Sequence, residues 1–89
     1  MTVGKQFICA ADSISSNLAE GFGRHVKKDK IKFFWYSARS VKECLDWNEK
    51  AENGNLISTE EYDHIFMELQ KLPEAINRLI KYAHRNLKY

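Results

Sequence analysis

Residues 29–52 read DKIKFFWYSARSVKECLDWNEKAE, and this stretch decides the fold. It holds no Gly and no Pro, so nothing in it breaks a helix. Its apolar residues form two adjacent helical stripes. One is Ile31, Phe34, Trp35, Ala38, Val41 and Leu45. The other is Phe33, Ser37, Ser40, Cys44, Trp47 and Ala51. Stripes about 100° apart ask for partners on two sides. Asp29 suits the start of this helix, as N-cap or as an acid at the positive end of the dipole. Asn53-Gly54-Asn55 closes it.

Outward from this segment the same periodicity continues. A preceding helix is expected over about 5–20, carried by Phe7, Ile8, Ala11, Ile14 and Leu18, with Gly21 and Gly23 ending it. A third is expected over about 58–87, opened by the capping box Ser58-Thr59-Glu60-Glu61. Its stripe runs from Tyr62 through Ile65, Leu69, Leu72, Ile76, Ile80 and Ala83 to Leu87. The stripe keeps its phase across Pro73, which predicts a kink with one face buried on both sides. The expected fold is all-α: one domain, residues 1–89, of three long antiparallel helices. With four Gly and one Pro, the chain lacks the turn residues of an all-β fold.

An 89-residue chain buries little surface alone, so self-association is expected. Phe33 and Trp47, on the outer stripe, are the candidate oligomer contacts. The two cysteines, Cys9 and Cys44, lie in apolar patterns and read as buried thiols in a reducing compartment. No secretory leader and no run of about 20 apolar residues is present, so a cytoplasmic location is expected.

Charge is unevenly distributed. Residues 24–42 hold seven cations against Asp29, and residues 43–74 hold nine acids against Lys50 and Lys71. The basic stretch could contact phosphates, and its candidate residues are Arg24, Lys27, Lys28, Lys30, Lys32 and Arg39. A solvated turn is the competing reading. Projection of this cluster is expected from a sharp turn at Gly21 and Gly23. Ser13, Asn17 and Glu20 share a helical face. They read either as a ligand site or as a buried polar network reaching Ser37, Ser40 and Glu43 of the next helix. Trp35, Tyr36 and Trp47 could stack bases, though at helical spacing aromatics usually pack.

Catalytic and metal chemistry find no support. Glu61-Tyr62-Asp63-His64 has the Glu-x-x-His spacing of di-metal bundles, but it occurs once, and His25, His64 and His84 are scattered. No nucleophile–base set and no glycine-rich phosphate loop is suggested. No enzyme activity, metal or cofactor is expected.

The runs Gly4-Lys5-Gln6, Ala10-Ala11-Asp12-Ser13-Ile14 and Asn17-Leu18-Ala19-Glu20-Gly21-Phe22-Gly23-Arg24 are similar to a known family. It comprises the bacterial four-helix-bundle proteins encoded by intervening sequences in large-subunit ribosomal RNA genes. The resemblance continues through Phe33, Ser40, Glu43, Leu56-Ile57-Ser58, Tyr62 and Leu79-Ile80. It implies a four-helix-bundle type of fold, here with one helix fewer at the front than family members carry. It further implies a ring-shaped homopentamer without enzymatic activity. A relative, the accessory protein of diversity-generating retroelements, binds a reverse transcriptase and nucleic acid. The functional expectation is an oligomer that binds RNA or DNA through a basic patch repeated around the ring. The alternative is a structural adaptor whose oligomer binds another protein.

Overall fold

The computed structural model describes residues 2–87, so Lys88 of the basic C-terminal segment lies outside it. Four helical segments make up the chain: α1 Val3–Gly23, α2 Lys27–Asn53, α3 Thr59–Gln70 and α4 Leu72–Asn86. Among the described residues there is no strand. α3 and α4 are the two halves of the expected third helix, parted only at Lys71, whose backbone stays helical (φ −77°, ψ −23°). Pro73 sits in the first turn of α4, where its missing N–H leaves no hydrogen bond unmade.

α2 is the spine. α1 packs along one side of it, and α3 with α4 along the other. The Cα atoms span 48 × 24 × 13 Å, a slab about one helix thick. Both neighbours run antiparallel to α2. The Ser37 hydroxyl donates to the Ile14 carbonyl at 2.8 Å, and one heptad back along α2, Lys30 Nζ donates to the Gly21 carbonyl at 2.8 Å. On the other side Asn48 Nδ2 donates to the Tyr62 carbonyl at 3.1 Å, and Lys27 Nζ to the His84 carbonyl at 3.0 Å.

The buried residues of α2 are Phe34, Ser37, Ser40, Val41, Cys44, Asn48 and Ala51. Ser40 aside, they step by three and four, as a helix seam does. The seam therefore runs between the two apolar stripes seen in the sequence, and both stripes find partners inside one chain. Phe33 and Trp47 are half-buried at its edge, and Trp35 is left outside. Ala10 and Ile14 from α1 and Ile76 and Ile80 from α4 close the core around Phe34, Val41 and Cys44. Burial, with Glu43 as the lesser cause, pushes the Cys44 thiol up. Cys9 is exposed, contrary to expectation, because it falls one position short of the inward Ala10 and Ile14.

Gly21 also departs from expectation. α1 runs through it to Gly23, and neither glycine has positive φ. The turn into α2 is made by extended backbone at Arg24 and Val26. Gly21 is instead a contact point: a Cβ there would lie 2.5 Å from Phe34 Cε1 and 3.3 Å from the Lys30 carbonyl oxygen. Glycine is what lets α1 and α2 approach this closely.

The expected polar network between α1 and α2 is not formed in the chain. Asn17 Nδ2 donates to the Ser13 carbonyl of its own helix, Glu20 pairs with Arg24 at the surface, and Ser40 bonds to the Tyr36 carbonyl. Glu43 is exposed. Asn17, Glu20 and Ser40 each find a partner about one turn away, so none needs a cross-helix partner. Of the residues expected in the network, Ser37 bonds across to α1.

Two predictions arise from these contacts. Asn48 is fully buried, and its Oδ1 is without a hydrogen-bond partner. Asn48→Leu removes this orphaned acceptor at similar volume and should raise stability by about 1 kcal/mol in urea unfolding. The capping box is complete: Ser58 Oγ accepts from the Glu61 amide at 3.0 Å, and Glu61 Oε1 accepts from the Ser58 amide at 2.9 Å. The bond from the Ser58 amide, with the Ser58 side chain as the lesser cause, holds the Glu61 carboxyl below the usual glutamate range. A lowered carboxyl stabilises the fold above its unfolded-state pKa, and that stabilisation is lost as pH falls through the folded value. Glu61→Gln should therefore lower stability at neutral pH and flatten the acid limb of the melting-temperature profile.

Candidate nucleic-acid interface

The buried seam fixes what α2 shows to solvent. At about 100° per residue, the position two before each buried one lies on the opposite side of the helix. Counting back from Phe34, Ser37, Val41, Cys44, Asn48 and Ala51 gives Lys32, Trp35, Arg39, Lys42, Asp46 and Glu49. Lys28 extends this outward row by one turn. All seven are exposed.

The row is basic in its first half and acidic in its second, and no acid lies between Asp29 and Glu43. This order is the reverse of what a helix dipole favours, since cations stabilise the C-terminal end and acids the N-terminal end. Only Lys28 stands in the first turn, where the dipole disfavours a cation; Lys32, Arg39 and Lys42 lie beyond its reach. Beside them runs a ladder of cations and rings. Arg24 Cζ lies 4.7 Å from the Phe33 ring centroid and Lys32 Nζ 5.3 Å from it. Phe33 meets Tyr36 edge-on at 5.6 Å, and Arg39 Cζ lies 5.2 Å from the Tyr36 ring. The rings hold the alkyl stems against the helix while the charges stay in water.

The six cations singled out in the sequence divide into two groups. Lys28, Lys32 and Arg39 stand together on the outward row. Lys30 is a structural cap, donating to the Gly21 carbonyl and, at 3.1 Å, to the Phe22 carbonyl at the C-terminal end of α1. Lys27 ties α2 to α4 through the His84 carbonyl. Arg24 is paired with Glu20 at 3.0 Å. A hollow of about 480 Å³ beside it is lined by Glu20 and Asp29 as well as Arg24 and His25, which makes it a poor phosphate seat. Sequence reasoning missed Lys42 and Trp35 as members of the row. The steps of three and four from Lys32 through Trp35 and Arg39 to Lys42 carried that signal.

Trp35 is 54% exposed, whereas Trp47 packs against the core with Lys50 Nζ 4.4 Å from its ring. Among the described residues no group of three or more His, Cys, Asp or Glu side chains could hold a metal ion. Among them, too, no helix is long and apolar enough to cross a membrane.

Residues 1–78 match the family model described as 23S rRNA-intervening sequence protein. The fold is similar to that in a 1.70 Å crystal structure of a protein with unknown function from the S23 ribosomal protein family of Bacteroides thetaiotaomicron. The TM-score is 0.85 over 91% of this chain and 75% of that one, at 21% identity. No curated protein matches the chain.

Proposed function

The chain belongs to the 23S rRNA-intervening sequence protein family, and from that premise we propose that it is a non-enzymatic, cytoplasmic oligomer that binds RNA or DNA through the outward row of α2. The observation that carries this reading is the row itself: Lys28, Lys32, Arg39 and Lys42 stand exposed in line over the first half and middle of α2, with no acid among them. Phosphates are the ligands such a line suits, because each contact releases condensed counterions.

Self-association is supported by a second surface. Ile8 is 63% exposed and Phe22 60% exposed, and with Ala11 and Leu18 they form a row on α1 beside its buried one. At one end of the slab a groove of about 560 Å³ is lined by Phe7, Ile8, Leu56, Ile57 and Ile65. Residues this apolar are covered at low cost by another copy. Helices from neighbouring copies would complete a bundle of the four-helix type, within the homopentameric ring that the resemblance implies. Light scattering should find no stable 10.4 kDa monomer at micromolar concentration; such a monomer would remove the oligomer from the proposal.

The binding proposal is tested by fluorescence anisotropy with labelled RNA at low and high salt. Binding that weakens steeply with salt supports it. No binding of RNA or DNA at low salt, with salt-insensitive capture of a protein partner, would replace it with the adaptor reading.

A further inference from the structure

Resting on the nucleic-acid reading above, we infer that the outward row of α2 takes single-stranded rather than duplex nucleic acid, with a base stacked on Trp35. Trp35 lies in the first half of α2, between the core residue Phe34, 2% exposed, and Tyr36, half-buried in the ring ladder. Its own indole remains 54% exposed. Apolar burial does not account for a tryptophan at this position.

What surrounds the indole is one sign of charge. Lys32 stands one turn before it and Arg39 one turn after it, with Lys28 and Lys42 beyond. At about 1.5 Å per residue the row from Lys28 to Lys42 is about 21 Å long, with Trp35 at its midpoint. Next to the indole is an open groove of about 340 Å³, lined by Trp35, Tyr36, Ala38, Arg39 and Lys42. A volume near the lower end of the about 300–1,000 Å³ range of small-ligand sites suits a single base. Cations to fix the backbone and an aromatic face for a base are the two parts of a single-strand site.

A duplex offers the row only half of this. Its bases are stacked on one another, so an indole on the convex side of a helix meets phosphate and sugar and gains nothing from its π-face. Between Lys28 and Lys42 the outward row also holds no Asn, Gln, Asp or Glu to pair with adenine or cytosine edges. Stacking on the indole is open to every base, since each has a π-face.

The test uses the full chain with a short oligouridylate and with an RNA duplex of the same length. The oligouridylate should quench the emission of Trp35. Trp35→Ala should weaken oligouridylate binding about tenfold or more and leave duplex binding unchanged, while Trp35→Tyr retains most of the single-strand affinity. The thermal melt of Trp35→Ala should match that of the wild type, since the side chain packs little. Duplex binding as tight as single-strand binding, with Trp35→Ala neutral for both, would overturn the stacking and leave phosphate binding standing. Failure of the wild type to bind either would overturn both.

Discussion

Gly21→Ala should destabilise the chain by about 1 kcal/mol and lower its melting temperature by about 5 °C. The added Cβ would sit 2.5 Å from Phe34 Cε1 and 2.7 Å from Cδ1, closer than real Cβ atoms come to any neighbour. Phe34 is 2% exposed with Phe22 edge-on at 5.3 Å, so making room means shifting both rings toward the hollow of about 220 Å³ that they line with Leu79 and Tyr82. Overpacking of this kind costs about 1–3 kcal/mol, and the better helix propensity of Ala returns up to about 1 kcal/mol. Gly23→Ala is the control. Nothing lies within 4 Å of its Cβ position, so propensity alone acts and stability should rise slightly. If the clash is the cause, Phe34→Leu should cost less in the Gly21→Ala background than alone, a coupling that a double-mutant cycle reads directly.

The joint replacement of Lys28, Lys32, Arg39 and Lys42 by Gln should lower RNA affinity roughly 100-fold at low salt. The four side chains are exposed and point away from the core, so the melting temperature should hold. Replacing Lys27 and Lys30 should do the opposite. Lys30 satisfies two carbonyls at the end of α1 and Lys27 one near the end of α4, so their loss should lower stability more than affinity. Equal losses of affinity from both sets would mean that the basic stretch acts as diffuse charge and not as a row.

Much of the fold is legible in the sequence because it is local. The capping box at Ser58 and the helix-compatible Pro73 are decided by neighbours within a turn, and both stand where periodicity places them. The α2 seam was harder to see. It passes through Ser37 and Asn48, so a count of apolar residues divides it into two stripes and assigns Trp35 to the wrong one. Gly21 reads as a stop in one dimension, and only the approach of Phe34 makes it a contact. Lys27 and Lys30 read as free charge because the carbonyls they bind lie on other helices. The polar face of α1 suggested a network because Ser13, Asn17 and Glu20 share a side. Their partners turned out to be their own helix and Arg24. The candidate site followed once the buried seam was known, since a helix that fixes its inner face also fixes its outer one.

The salt dependence of RNA binding by the wild-type protein is the most direct test of phosphate contact by the row. Four outward cations on a single strand predict that the logarithm of the binding constant falls with the logarithm of salt concentration with a slope of about −3 per bound chain. A slope near zero, or no measurable binding at low salt, would contradict it.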